Sequence, residues 1–462
     1  MQINSENFVR GPRGSLRSGE PGFVIILVAV FLLFVVGAMA ALSIDVVTFY
    51  TARSEAQLAA DAAALAGARV LANSGATSDI NTPDDNMLAN ARALALAVAT
   101  QVAISNSVGG RNLLAPEVTV NFNGVGPSPC SATLQMQVAN PCVTVTVTRT
   151  DLPVFFARIW GNTQITISAS ATAEAYNPSG LATDTTISMV VPVAPSCVKP
   201  WVLPNIDPTN PTGQIFASSS GQIMNANLLG ATFPNSSYPT TLLHARCGGS
   251  ASCDVSQTPQ PWAYFAGTDI SFPHPIQALP ACSVTTNFQF SIAGCVQLPI
   301  ICGAAPASQV TIVTTTDTTL DPDAAAAVDC LAHTSGGKGD TISALVLPPT
   351  PFEFTAKDDN PLVQAGSLAS GSQTMVSDSL VTVPVFDSPS VSINVGNTVT
   401  IIGFLQLFLQ PSGQSVGSTG GQIESKIINM VGCGLNSNAT NSILPAYGNG
   451  ASAVPVRLIS PR

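Results

Sequence analysis

The chain has 462 residues, a net charge of −10 and 46% hydrophobic residues. Only 9% of its residues are charged, against about 25% in an average soluble domain. The length suits roughly two or three domains, and the lack of any Lys/Arg run after Arg17 excludes the basic stripe of a nucleic-acid-binding protein.

The first 20 residues carry Arg10, Arg13 and Arg17 and read as a short cytoplasmic tail. Residues 21–44, "PGFVIILVAVFLLFVVGAMAALSI", hold no charge. As a helix they would be about 36 Å long, enough to cross a hydrocarbon core of about 30 Å with some tilt. The preceding arginines place the N-terminus in the cytoplasm and the rest of the chain outside. A cleaved signal peptide is the rival, but its apolar region is usually only about 7–15 residues. The uncleaved anchor is therefore the preferred reading.

From Asp45 to Leu71 there is no proline and one glycine, Gly67. The stretch "QLAADAAALAGARVL" (Gln57–Leu71) is rich in alanine, the best helix former. Its small side chains let another backbone come near, whether a second helix, a sheet or a neighbouring chain. Asp61 makes a transmembrane location expensive. The membrane helix is thus expected to continue outward as one rod and to stop near Asn73-Ser74-Gly75. A second helix is predicted from about Asp84 to Ser105, with Pro83 where a helix can begin.

Period-two alternation follows. Glu117–Phe122, Ala132–Val138, Cys142–Thr150 and Thr163–Tyr176 read as half-buried antiparallel strands. Between them Leu152–Gly161 is aromatic and reads as irregular. Two helices and then an antiparallel sheet make an α+β fold.

Asn177-Pro178-Ser179-Gly180 marks a boundary, so that 45–178 and 179–462 read as separate regions, the second β-rich and open to subdivision. Strands are predicted at Thr186–Val193, Ser308–Thr314, Thr341–Leu347, Leu380–Val385, Thr398–Leu409 and Glu424–Cys433. Val454–Ile459 is expected to close this distal module. One helix is predicted at Pro322–Ala332. Within Thr398–Leu409, the run Ile401–Leu409 is too short to span a membrane and contains Gln406, so it reads as a buried strand. No fixed-period repeat is evident, which disfavours solenoids and propellers.

The ten cysteines all follow Cys130, including it. Their confinement to the part beyond the apolar segment fits disulfides in an oxidising compartment. One pairing is expected, Cys130–Cys142, which brackets a Pro-rich turn and a short strand. Free buried thiols are the alternative.

The block "LSIDVVTFYTARSEAQLAADAAALAGARVL" (Leu42–Leu71) resembles the N-terminal region of the Flp pilus-assembly TadG-like family. The elements that carry the resemblance are Asp45, Tyr50, Gln57 and the run from Ala60 to Ala68, which includes Asp61, Leu65 and Gly67. The resemblance is strong over about residues 20–71 and weaker to 176. One departure is Val47, where that family often has glycine. It implies a membrane-anchored component of a tight-adherence pilus system with its body outside the inner membrane. It also implies a pilin-like order, a long apolar helix before a sheet. It implies no chemistry.

Candidate chemistry is sparse. "DTTIS" (Asp184, Thr186, Ser188) has the D-x-[ST]-x-S spacing of a von Willebrand A metal site, a domain some TadG-like proteins carry. In that site an aspartate and two hydroxyls converge on a divalent cation after a buried strand. Here the apolar strand follows the motif, so a solvated strand start is the plainer reading. His244, Cys247 and Cys253 could ligate zinc, but no second pair has matching spacing. "GGKGDT" (Gly336–Thr341) lacks the spacing of a phosphate loop and reads as a turn. No H-E-x-x-H motif is present.

Two functions follow. The first is a non-catalytic structural or assembly protein without a cofactor, partnered by the inner membrane, by other pilus-assembly proteins and by lateral helix–helix self-association. The second is a surface-binding adhesin module using residues 179–462, metal-dependent if the Asp184 motif is a site.

Overall fold

A computed structural model describes residues 21–78, 86–122, 140–154, 156, 161, 164–180, 192–210, 212–218, 221–233, 263–264, 270–271, 287–296, 299–302, 309–311, 313–314, 320–342, 352–387, 398–410, 423–433, 446–448 and 452–459. The fold is mixed helix and sheet, with a long apolar helix at its N-terminal end and a β-rich C-terminal part.

The apolar run and the alanine run form one helix, α1 (Pro21–Asn73). Nothing interrupts it because no proline or glycine pair lies inside it. It ends at Asn73-Ser74-Gly75, as the sequence predicts. The second helix, α2 (Asn86–Ile104), matches its expected position. Both helices are long and apolar enough to cross a membrane, but the apolar part of α1 is wholly exposed whereas a third of α2 is buried.

Three strands follow: β1 (Val118–Asn121), β2 (Cys142–Pro153) and β3 (Gln164–Ala175). They form an antiparallel sheet in the order β3-β2-β1. Alternation sorts their side chains. Val143, Val145, Val147, Ile167, Ala171 and Ala173 face a core. Thr144, Thr146 and Thr148 on the other face bond Thr172, Ser170 and Ser168 at 2.9, 3.0 and 3.1 Å. The buried face packs against a stripe of α1 made of Ala52, Ala56, Ala59, Ala60, Ala63 and Ala68, each 0–1% exposed. Alanine meets alanine and valine, so helix and sheet approach closely.

The segment expected to be irregular, Leu152–Gly161, begins as strand. β2 runs on to Pro153, with a register shift between Arg149 and Leu152. The bulge lets Asp151 turn to an ion pair while Leu152 is buried.

The larger sheet is built from β4 (Leu203–Pro204), β5 (Thr232–Phe233), β6 (Gln309–Thr311), β7 (Leu380–Phe386), β8 (Thr398–Leu409) and β9 (Ser425–Gly432). Its order is β4-β7-β8-β9-β5, with β6 beside β8. Every residue of β7 and β9 is buried. Strands covered on both faces read as continuous apolar runs, and "IIGFLQLFL" is one. Phe354 stacks on Phe408 at 5.0 Å. The Phe216 ring lies across Gly403, where any Cβ would come within 2.5 Å of it.

Three expectations change. Ser308–Thr314 is two short pieces: β6 pairs with β8, and Val313–Thr314 pairs with Ala263–Tyr264. Of Thr341–Leu347, only Thr341–Ile342 is strand among the described residues. The last strand, β10 (Val456–Ile459), does not close the distal part. It pairs antiparallel with β3 and so completes the first sheet. Arg457 bonds Glu174 and lies 5.1 Å over the Tyr176 ring. The predicted helix is found as Leu320–Leu331. Gly336–Thr341, expected as a turn, begins in a 3-10 helix at Ser335–Gly337 and ends on the first residue of the Thr341–Ile342 strand.

Cys302 and Cys433 form a disulfide with Cα atoms 5.2 Å apart. Cys142, Cys197 and Cys330 are also disulfide-bonded, and no described cysteine is a free thiol. Cys130, and with it the Cys130–Cys142 pairing, lies outside the described residues. So do Ala132–Val138 and most of Thr186–Val193.

Candidate functional site: the inner face of the long helix

The signature residues sit on α1 at different heights and do different things. Asp45 is 8% exposed. Its carboxylate accepts the backbone N–H of Phe156 at 3.0 Å. Phe156, three residues beyond the end of β2, is thereby held against the helix where the apolar run stops. Three turns further, Gln57 donates to Asp61 at 2.8 Å and to the carbonyl of Ser170 on β3 at 3.2 Å. Gln57 and Asp61, four residues apart, are neighbours on one helix face, and together they tie that face to the sheet.

Gly67 is a point of close approach. A Cβ there would lie 3.3 Å from Ala99 of α2 and 3.3 Å from Val143 of β2. Leu65 is half-buried against the same core. Tyr50 differs from the others: its side chain is 67% exposed and touches Phe49 edge-on. The structure therefore brings Gln57, Asp61 and Gly67 to the helix–sheet contact, and leaves Tyr50 facing out. Beside this contact a groove is lined by Ala62, Leu65 and Ala66 of α1 and by Leu94 and Val98 of α2.

An ion cluster near the base of the sheet was not legible in the sequence. The Arg111 guanidinium bonds Glu117 and Asp151, and Arg149 also bonds Asp151 at 3.0 Å. Arg111, then Arg149, holds the Asp151 carboxyl down to about 2. The adjoining Gly109 N–H donates to Glu55 of α1 at 2.6 Å.

A second polar feature joins the end of α1 to the larger sheet. Asn429 donates to the Ala72 carbonyl at 2.7 Å and to Gln406. Gln406 donates to Asn73 at 3.2 Å, and Asn73 donates to the Met375 carbonyl at 3.1 Å. Asn177 donates to the carbonyls of Thr77 and Met430, both at 3.0 Å. Ser78 exchanges two bonds with Met430, and Gly432 N–H donates to Ser179. The last carbonyls of a helix have no intrahelical partner, and here the buried Asn429 amide serves that of Ala72. Gln406 was the visible signal, one polar residue inside an apolar strand.

In the distal part, Lys199 is buried and donates to the carbonyl of Ile292 at 2.7 Å and to that of Gly294. Burial pushes its amine down to about 7, against the pull of Asp378. His333, at the end of the 320–331 helix, lies 3.0 Å from Asp378 and 3.9 Å from Asp359. Burial opposes its charge, but the Asp378 hydrogen bond and the carboxylates of Asp378, Asp359 and Asp340 outweigh burial and raise its pKa. Burial raises Asp340 against its bonds from Lys357 N–H, Ser377 and Asn360. Among the described residues no group of three His, Cys, Asp or Glu could hold a metal ion. Asp184, Thr186 and Ser188 lie outside the described residues, as do His244, Cys247 and Cys253.

The class these features define is a protein with an apolar N-terminal helix suited to membrane anchoring, continued into a body of mixed helix and sheet. Residues 22–70 match the family model described as putative Flp pilus-assembly TadE/G-like. That match covers α1 and the signature face, and it supports a role related to pilus assembly. No curated protein and no solved structure matches the chain.

Proposed function

We propose that the chain is a membrane-anchored, non-catalytic structural or accessory component of a Flp pilus assembly or secretion system. In this reading residues 21–44 cross the inner membrane once, the N-terminus is cytoplasmic and the body is periplasmic. The observation that carries it is the continuity of α1: the helix matched by the family model is at once the apolar span and the inner layer of the body. The arrangement is pilin-like in that a long helix lies against an antiparallel sheet. Asp45, Gln57, Asp61, Leu65 and Gly67 act in it as packing and orienting residues. The disulfides fit an oxidising compartment. Lateral docking of similar helices would use the exposed side of α1, where Leu58 is 65% exposed and Ala62 and Ala66 border the groove.

Deleting residues 21–44 should release the protein from sedimented membranes into the soluble fraction. Sedimentation of the deleted form at the wild-type level would defeat the anchor. The second reading, an adhesin dependent on metal at Asp184, Thr186 and Ser188, predicts that Asp184→Ala abolishes divalent-cation binding by calorimetry. An unchanged isotherm removes it.

A further inference from the structure

The uncharged run ends at Ile44, which would set the lipid–water boundary at Asp45. Side-chain exposure argues for a different level. Asp45 is buried by the body, and its carboxylate is engaged with Phe156 N–H. On the open side of α1 the exposed residues remain apolar beyond it: Val46 is 43% exposed, Val47 64% and Tyr50 67%. The first exposed charge is Arg53.

The hydroxyls of this stretch behave as they do in lipid, where backbone and side-chain polar groups must find partners inside the protein. Ser43 donates to the Ala40 carbonyl at 2.6 Å, Thr48 to Ile44 at 2.9 Å and Thr51 to Val47 at 3.0 Å. Each is satisfied within its own helix.

Length agrees. Gly22 to Tyr50 is about 43 Å of helix at about 1.5 Å per residue, close to the ~40–45 Å of a bilayer with its interfacial layers. A tyrosine ring is usual at the headgroup level of either interface. The body's own charges begin at the same level. Glu55 meets the Gly109 turn, which lies beside Ala52 and Leu152, and the Arg111–Asp151 cluster adjoins it.

We propose that the outer lipid–water interface lies at Tyr50–Arg53, about 9 Å beyond Ile44 along the helix, so that the base of the body is seated in the interfacial layer of the bilayer. Its surface partner is lipid: the upper acyl-chain segments, their ester carbonyls and glycerol against Val46, Val47 and Tyr50, and headgroups against Arg53. Asp45 then lies below the lipid surface, buried and with its carboxylate on the Phe156 N–H. This rests on the membrane-anchor reading above.

The test places a fluorescent amino acid at Leu33, Val47, Tyr50 or Leu58, one at a time. Each full-length protein is reconstituted in phosphatidylcholine/phosphatidylglycerol vesicles. Quenchers are lipids brominated at defined depths along the chain, and aqueous iodide. The expected result is loss of emission with brominated lipid at 33, 47 and 50, the shallow bromines acting best at 50, and with iodide at 58. Quenching at 33 by lipid but at 47 and 50 by iodide overturns the seating and leaves the anchor intact. Labels at 47 and 50 shielded from both quenchers show that protein, such as a second copy, covers this face, which also overturns it. A label at 33 untouched by brominated lipid overturns the anchor and the seating together.

Discussion

At the scale of single residues, the helix signature divides by what each side chain touches. Gly67 is a packing residue. The space above its Cα is filled from two sides at 3.3 Å, so a large side chain there must displace Ala99 or Val143. Gly67→Leu should lower stability by about 1–3 kcal/mol through overpacking, read as a lower denaturation midpoint of the full chain in detergent. Asp45 acts through a hydrogen bond. Asp45→Ala leaves the Phe156 N–H without this acceptor, and its amide hydrogen should exchange faster. Asp45→Asn keeps an oxygen there and should restore most of the protection. Equal exchange in wild type and Asp45→Ala would show that the bond is not formed in solution. These positions could be read from the sequence as a helix and as a family signature. Their partners could not: Ser170 is 113 residues from Gln57, and Phe156 is 111 from Asp45.

At the scale of elements, the decisive contact is between the end of α1 and β8 and β9. Gln406 and Asn429 are polar residues buried within β8 and β9; Asn429 meets the Ala72 carbonyl and Gln406, and Gln406 meets Asn73. Removing one amide leaves buried acceptors unpaired, at a cost of about 1–3 kcal/mol. Asn429→Ala should therefore destabilise the chain by that amount in urea denaturation, while Thr148→Ala on the open face of the first sheet should cost much less. The 320–331 helix is fastened by His333 to Asp378, just before β7. Since the folded pKa of His333 is raised, this contribution is complete below its unfolded value of about 6.5. It fades as pH rises through the folded value. Lys199 has the opposite slope: its amine is near 7 when folded and about 10.4 when unfolded, so stability gained there rises with pH between the two. Comparing wild type with His333→Gln isolates the histidine. The difference in melting temperature should be largest below pH 6 and shrink towards pH 9. A difference that grows with pH contradicts the assignment.

At the scale of the molecule, the chain closes on itself. β10, the last described strand, covers the edge of β3, so residues 456–459 finish a sheet begun at Val118. Ending the chain before Val456 should uncover that edge, and exposed edges pair with one another. Light scattering of the truncated form should show self-association that the full chain lacks. The order of elements was legible because local chemistry decides it. An uncharged apolar run, an alanine run without breakers, Val/Thr alternation and an apolar strand each report on neighbours within a turn or a pleat. Gln406 hinted at a buried partner, yet nothing near it in sequence named Asn73 or Asn429. The β10 strand was visible as a strand but not as part of the first sheet, because edge pairing depends on which edge is left open after the core has formed. What the sequence determined by itself is the long helix, its apolar half, its small-sided half and the β texture beyond. What only the tertiary structure decided is the face each element turns inward, the burial of Asp45, the polar joint at the helix end and the return of the last strand. Those depend on contacts over more than a hundred residues of chain, where periodicity carries no information.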